Sequence, residues 1–310
     1  MPLLIAGRDD VSRRWLGEGS AEPAPTAVVT LAATGDVVGW VDYDTDRSWL
    51  LDGEVNLGYS VFPQHRGHGY ATRAVQLLLH HLATATSYTV ATLLIGAGNE
   101  RSLALARRAG FPQVGDLDAN PYFKRPVPPL SYTDGVVTIR PHTSDDLDAH
   151  IAAIDDEQID WLWLPGHRES WEAMSPDEQR EHQRRWLQSV IDAFGRGPKW
   201  SFAVDTVDPP QRYVAYVDCD LANDGVPAGE ANISYSCAAA HRGMGYVGRA
   251  VRLITQFVRD HTGAREAHIG VDAENVGSLR VAASAGAVET ERWVNERGRL
   301  MVRHVLSVRP

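Results

Sequence analysis

The chain has only two cysteines, Cys219 and Cys237, and four methionines among its 310 residues. Two sulfurs with no histidine cluster beside them are too few for a structural zinc site, which takes four N or S ligands, and no metal is expected. The two are read as reduced, half-buried thiols rather than a disulfide, as suits a cytoplasmic protein. No apolar run approaches the roughly 18 residues that a membrane helix needs. The opening Met1-Pro2-Leu3-Leu4-Ile5-Ala6 turns polar at Arg8 without the basic lead of a signal peptide. A soluble, cytoplasmic chain with no membrane partner is the expectation. Positive charge is short as well: 30 Lys and Arg stand against 40 Asp and Glu, for a net −10. The balance is −2 up to Leu130 and −8 beyond it. Such a surplus argues against a nucleic-acid partner and leans toward a cationic or amine one, a solvated acidic surface being the plainer explanation.

Self-similarity is what the chain has in abundance. Gly53-Glu54-Val55-Asn56-Leu57-Gly58-Tyr59-Ser60 returns as Gly229-Glu230-Ala231-Asn232-Ile233-Ser234-Tyr235-Ser236. His65-Arg66-Gly67-His68-Gly69-Tyr70 returns as His241-Arg242-Gly243-Met244-Gly245-Tyr246, and Asn99, Ser102 and Gly110 return as Asn275, Ser278 and Gly286. The offset is 176 throughout, so this region repeats without a gap. A period that long means duplicated whole domains, not a solenoid. Pro126-Val127-Pro128-Pro129 reads as the linker, placing an N-terminal domain at 1–128 and a C-terminal one at 129–310. Further upstream, Arg13-Arg14-Trp15-Leu16 matches Arg184-Arg185-Trp186-Leu187 at an offset of 171. On that alignment the first copy lacks the strand predicted at Val136–Arg140 and the long helix predicted from Ser144 through Trp163.

Within each copy the pattern predicts strand, glycine turn, helix, strand, helix, strand. Val37–Asp42 and Val214–Asp218 alternate and are rich in β-branched and aromatic residues, as strands are. Glu54–Val61 and Glu230–Cys237 are read as strands, with Glu, Asn and Ser on one face and Tyr on the other. Tyr70–Leu82 has helical apolar spacing. Thr89–Ile95 and Ala267–Val271 are the next strands, and short helices opened by Asn99 and Asn275 stop at Gly110 and Gly286. The fold class is therefore α/β, an α+β layered domain present twice.

The motif with chemistry in it is Gln64-His65-Arg66-Gly67-His68-Gly69-Tyr70-Ala71. A strand ends, two glycines permit tight backbone, and a helix starts at once. That arrangement aims backbone N–H groups and a helix N-terminus at one point, as a phosphate site requires, and Arg66 can add a charged donor. The glycine spacing is neither a dinucleotide fingerprint nor a P-loop.

On these residues the chain resembles the GNAT superfamily of acyl-CoA-dependent N-acetyltransferases, nearest the ribosomal-protein N-terminal acetyltransferase branch. The family's pyrophosphate motif, Gln/Arg-x-x-Gly-x-Gly/Ala, is met by Gln64, Gly67 and Gly69. The second copy has Ala240 at the first position, then Gly243 and Gly245. The Asn-x-x-Ser pattern ending in Gly-Phe is met by Asn99, Ser102 and Gly110-Phe111; Ala287 replaces the Phe in the second copy. The resemblance implies a mixed, mostly antiparallel sheet that splays open to admit the pantetheine arm of acetyl-CoA or another acyl-CoA. It places the cofactor against Val61, Gln64, Arg66, Gly67, His68, Gly69, Tyr70, Ala71, Asn99 and Ser102. In the second copy the corresponding positions are Cys237, Arg242, Gly243, Met244, Gly245, Tyr246 and Asn275. It further implies direct attack by a primary amine of a small molecule or protein N-terminus. A carboxylate in the gap suits removal of the amine's proton, which singles out Glu230 and Glu54 with Asn232 and Asn56 beside them. The tyrosine acid of many relatives is replaced by Ala106 and Ala282, leaving Ser102 and Ser278 as candidate proton donors. Trp161, Trp163, Trp171 and Trp186 lie where the family forms its acceptor pocket, with core packing as the alternative. The complete second copy is expected to be the catalytic one, in a monomer or homodimer. A pair of domains that bind acyl-CoA without turnover is the competing expectation.

Overall fold

β-Branched and aromatic content makes Val37–Asp44 and Tyr213–Asp220 strands, and each stands beside the strand that leads into a glycine turn. The computed structural model describes residues 9–16, 26–31, 33–162, 166–195 and 197–308. The chain forms two units, Met1–Pro129 and Leu130–Pro310. Unit 1 runs α1 (Asp10–Leu16), β1 (Ala27–Thr30), β2 (Val37–Asp44), β3 (Glu54–Val61), α2 (Tyr70–Ala85), β4 (Val90–Leu94), α3 (Glu100–Arg108), β5 (Gln113–Leu117) and β6 (Asn120–Pro126). Its sheet has the order β1-β2-β3-β4-β6-β5.

Unit 2 opens with β7 (Tyr132–Thr133) and β8 (Val137–Pro141), followed by four helices: α4 (Leu147–Ala152), α5 (Asp156–Leu162), α6 (His167–Glu172) and α7 (Pro176–Ala193). Then come β9 (Lys199–Thr206), β10 (Tyr213–Asp220), β11 (Ala231–Cys237), α8 (Tyr246–His261), β12 (Glu266–Asp272), α9 (Val276–Ala285), β13 (Val288–Val294) and β14 (Leu300–Ser307). The eight strands are ordered β13-β14-β12-β11-β10-β9-β8-β7. The α+β layered class is thus realised in both units.

The long helix expected from Ser144 through Trp163 is in fact three pieces: a 3₁₀ turn at Ser144–Asp146, then α4, then α5. Asp155 starts a new helix by accepting the backbone N–H of Gln158 at 2.9 Å, which breaks the run. Trp163 lies outside the described residues.

The two strands that meet in parallel decide the architecture. In unit 1, β3 and β4 pair only over Glu54–Asn56 with Val90–Thr92. In unit 2, β11 and β12 pair only at Ala231 with Ala267 and Asn232 with His268. Beyond those rungs the strands diverge, and every other strand pair in either sheet is antiparallel. One helix closes the core beneath each gap. α8 buries Ala250, Val251, Ile254, Phe257 and Val258, which recur at three- and four-residue steps. It ends where Thr262 turns its Oγ1 back onto Val258 O at 2.6 Å. Phe257 is fully buried, with its ring 4.8 Å from Phe202 and 5.6 Å from Trp200. Among the described residues no helix is long and apolar enough to cross a membrane.

Truncating Phe257→Ala should lower the stability of unit 2 by about 3–5 kcal/mol, the usual penalty for emptying a packed aromatic site. Denaturant unfolding followed by intrinsic fluorescence measures it, and a loss below about 1 kcal/mol would mean that the ring is not a core anchor.

Candidate active site

The two turns superimpose in kind. After a 3₁₀ turn at Pro63–His65, Gly67 and Gly69 adopt φ of 87° and 78°; after Ala239–His241, Gly243 and Gly245 adopt 75° and 77°. Left-handed backbone at these four positions is why glycine stands there. A Cβ on any of them would meet nothing within 4 Å, so the space above the turn is open. No side chain caps α2 or α8. Arg66 N–H bonds Pro63 O and Arg73 N–H bonds Gly69 O, and no turn bond takes up the donors between them. The same holds between Arg242, bonded to Ala239 O, and Arg249, bonded to Gly245 O. A run of backbone donors at a helix N-terminus fits a pyrophosphate.

Arg66 and Arg242, expected among the cofactor contacts, brace the turn. Arg66 Nε donates to Val61 O at 2.9 Å and its two Nη atoms to Asp9 at 2.6 and 3.0 Å. Arg242 Nε donates to Cys237 O at 3.2 Å, Nη2 to Asp155 at 2.8 Å and Nη1 to Glu157 at 2.6 Å. Burial pushes the Asp155 carboxyl up, but the hydrogen bonds from Arg242 and from the Gln158 N–H, with the Arg242 charge, together outweigh it and hold the group below its ordinary value. In each unit the acid precedes a seven-residue helix that ends Trp-Leu, at Trp15-Leu16 and Trp161-Leu162. α1 therefore stands where α5 stands. The match of Arg13–Leu16 to Arg184–Leu187 is corrected accordingly, and unit 1 does possess a front helix. Among its described residues it has no counterpart of β8, α6 or α7.

Each turn opens on the divergence of its sheet. In unit 2, Ala238 N–H bonds Val214 O at 3.0 Å, and antiparallel alternation turns the N–H groups of Ser236 and Ser234 the same way. Those of Tyr235 and Cys237 consequently point into the gap left by β12. In unit 1, Phe62 N–H bonds Val38 O at 2.9 Å, so Tyr59 and Val61 point likewise. A cavity of about 510 Å³ in unit 2 joins this gap to the turn. Tyr235, Ser236 and Cys237 line one side and Gly243, Gly245 and Tyr246 the base. Gln158, Trp161 and Leu162 of α5 form the opposite wall. Burial pushes the Cys237 thiol up to about 11, so it stands there as a neutral group. Cys219, on β10, is fully buried, and both cysteines are free.

The hydroxyl pair at the rim joins a predicted residue to a missed one. Ser278 Oγ donates to Tyr235 Oη at 3.2 Å, and Tyr235 Oη donates to Ser278 O at 3.3 Å. Burial lifts the Tyr235 phenol to about 12 and raises Tyr59, which faces Ser102 in the same way. The signal was present in the sequence: tyrosine and serine are 43 residues apart in both copies. Asn99 and Asn275 serve as helix caps, accepting the N–H of Ser102 at 3.3 Å and of Ser278 at 2.9 Å. Asn275 also lines the cavity.

The two glutamates lie elsewhere. Glu230 precedes β11, and its Oε2 accepts the N–H groups of Arg265 and Glu266, both at 2.7 Å. It braces the entry of β12, at the end of β11 remote from the turn, and is not among the residues lining the cavity. Glu54 is buried; Oε1 pairs with Lys124 Nζ at 2.6 Å and Oε2 accepts Leu51 N–H at 3.2 Å. Asn56 and Asn232 occupy the last paired rung before the gap, opposite Thr92 and His268. Gln64, His68 and Met244 are exposed on the turns; His68 stacks on Tyr70 with centroids 5.5 Å apart. Ala71 is half-buried in the first turn of α2.

The tryptophans separate. Trp161 lines the cavity under Arg299, whose guanidinium carbon lies 4.5 Å from the ring centroid. Trp186 stacks flat on His150 at 4.5 Å, within a cluster that includes Tyr213 and Tyr216. Trp171 packs against His182 at 6.4 Å. Burial, with the nearby His142, depresses the His150 pKa to about 4.

A splayed sheet with an uncapped helix N-terminus at its mouth has the shape and the backbone donors that an extended, phosphate-bearing arm requires. The Acetyltransferase (GNAT) domain family matches residues 6–112 and 137–288, and the chain belongs to that family. No curated protein matches the chain. Among solved structures it is similar to a GNAT-family acetyltransferase of Bacillus anthracis, with 12% identity and a TM-score of 0.46, over 57% of this chain and 98% of that one. It is similar to RimJ of Mycobacterium smegmatis in complex with CoA-disulfide, with 17% identity and a TM-score of 0.46, over 56% and 82%. It is also similar to the ribosomal-protein-S5-alanine acetyltransferase of Vibrio fischeri, with 14% identity and a TM-score of 0.47, over 57% and 96%.

The His150 environment carries a pH dependence. Its pKa is about 4 in the fold against an ordinary 6.5, so the unfolded chain takes up the proton first. Stability from this group is whole above pH 6.5 and drains as pH falls toward 4, by about 3 kcal/mol in all. Urea midpoints measured across that window should drop for the wild type and flatten in His150→Phe. Parallel curves would show that the proton goes elsewhere.

Proposed function

We propose that the chain is an acetyl-CoA-dependent N-acetyltransferase in which unit 2 carries the reaction on a primary amine. The observation that supports this is the cavity of unit 2 that runs from the glycine turn to the open edge of β11. The pyrophosphate rests on the N–H groups from Gly243 into the first turn of α8, where the helix dipole favours negative charge. The pantetheine arm lies along β11 as a surrogate strand, bonded by the N–H groups that β12 leaves unpaired. The N–H of Cys237 is aimed where the thioester oxygen gains charge during attack. The amine adds directly to the carbonyl carbon, the tetrahedral adduct collapses, and the CoA thiolate leaves.

Catalysis on this reading is chiefly positional, since holding amine and thioester in register is worth many powers of ten. The hydroxyls of Tyr235 and Ser278, which line the same cavity, are the candidate donors to the departing sulfur. Among the described residues that line the cavity the one carboxylate is Glu157, and it is tied to Arg242. The amine's proton therefore leaves through water at the mouth of the cavity. The positions of Glu54 and Glu230 favour a second reading, in which the chain binds acyl-CoA without turnover.

Titration calorimetry of acetyl-CoA into the full chain separates the units. Gly245→Val should weaken binding at least tenfold, while Gly69→Val should change it less. The reverse order would move the site to unit 1. Thiol release that depends on an added primary amine supports the enzyme, whereas tight binding with no release under any amine supports the second reading.

A further inference from the structure

Two arginines line the cavity of unit 2, and only one of them is committed. Arg242 is held by Asp155 and Glu157. Arg280, exposed on α9, makes no hydrogen bond and no ion pair among the described residues. The nearby arginines of α8 are spent: Arg249 pairs with Asp134 at 2.8 Å, and Arg252 donates to Ser284 O at 2.7 Å. Acid outnumbers base in this half of the chain, so a guanidinium left without a carboxylate beside the cavity is an exception there. We propose that Arg280 holds the phosphate on the 3′ oxygen of the CoA ribose, and that unit 2 thereby selects a CoA thioester over one without that phosphate. This rests on the acetyl-CoA reading above and names the residue that reads the far end of the donor.

The shape of the cavity puts that residue in the right stretch. One part of the cavity is the gap beside β11 and a second is the glycine turn. The third runs between the first turn of α8 and one face of α9. On that face Gly277, Arg280, Val281 and Ser284 recur at three- and four-residue steps. A Cβ on Gly248 would fall 2.1 Å from Ser284 Oγ, so α8 and α9 meet at that point. Arg280 stands one helical turn before this contact. The bond from Arg252 to Ser284 O ties the two helices together there, which steadies the wall that carries Arg280.

The chemistry of the donor supplies the match. In CoA a pyrophosphate joins the pantetheine arm to the 5′ carbon of the ribose, and a third phosphate sits on the 3′ oxygen of the same sugar. With the arm in the gap and the pyrophosphate on the turn, the ribose comes next, in the stretch between α8 and α9. The backbone N–H groups of the turn are taken by the pyrophosphate, so the third phosphate needs a side-chain cation. A guanidinium suits it, because its planar fork binds two phosphate oxygens at once. The position 176 residues earlier in unit 1 is Ala104, which ties the selectivity to unit 2.

Titration calorimetry of the full chain with acetyl-CoA and with 3′-dephospho-acetyl-CoA tests the assignment. The wild type should bind acetyl-CoA about tenfold more tightly, the worth of one hydrogen bond to a charged group. That margin should shrink as salt is raised. Arg280→Gln should bring acetyl-CoA down to the level of the dephospho ligand and leave the latter unchanged, which also shows that the variant is folded. Arg280→Lys should keep part of the margin. Equal affinity of the wild type for the two ligands, or an undiminished margin in Arg280→Gln, overturns the inference and leaves the acetyl-CoA reading standing. A margin that survives in Arg280→Gln and disappears in Gly69→Val would move the phosphate to unit 1 and overturn it as well. Binding of neither ligand by the wild type would remove the acetyl-CoA reading, and this inference with it.

Discussion

The parting of two parallel strands governs everything else in each unit. β11 and β12 share two rungs and β3 and β4 share three, after which the sheet opens. A strand edge opened inside a domain leaves backbone donors without partners, which a fold tolerates only where something else satisfies them. The glycine turn lies at the end of that edge, and the helix below begins with its first N–H groups uncapped. On the function proposed above, an extended arm with a phosphate group at one end satisfies both sets of donors at once. Sheet, turn and helix are thus one device, and no part of it makes physical sense alone.

The arginine of the turn shows how that device is held open. A flexible cation beside a phosphate site is most simply read as a phosphate ligand. Here it is tied to a strand carbonyl and to the acid that starts the front helix, by the same geometry in both units. The arrangement commits the cation to rigidity in the backbone of the turn. In unit 2 it also fixes the helix over the gap, so the glycine turn and the wall facing it are tied through two carboxylates, Asp155 and Glu157.

Much of this was legible in the residues. The turn, its glycines and the helix after it follow from local rules, because left-handed backbone and an abrupt strand-to-helix change leave few other options. The gap-free repeat placed Asn99 and Asn275 at helix starts, where they cap. What misled was identity of letters without geometry. Arg-Arg-Trp-Leu recurs, yet the helix equivalent to α1 is recognised by its preceding acid and its Trp-Leu ending, and by the arginine that the acid holds. Glu230 stands on a repeated strand motif, yet one residue's displacement from the strand gives it two backbone N–H groups to brace. Tyr235 was assigned to the other face of the strand, and its bond to Ser278 across 43 residues emerged only on folding.

By itself the sequence determined that there are two copies, that each alternates strands and helices, and that each carries a phosphate-shaped turn. Those are statements about periodicity and backbone freedom, which neighbours along the chain control. Only the tertiary structure decided where β11 and β12 part and which carboxylates are spent on bracing. It alone put Gln158, a residue outside every repeated motif, against the gap. Such facts depend on strand register and helix packing between segments far apart in sequence, as Asp155 and Arg242 are at 87 residues. No local pattern specifies distances of that kind, because they arise from all the packed contacts together.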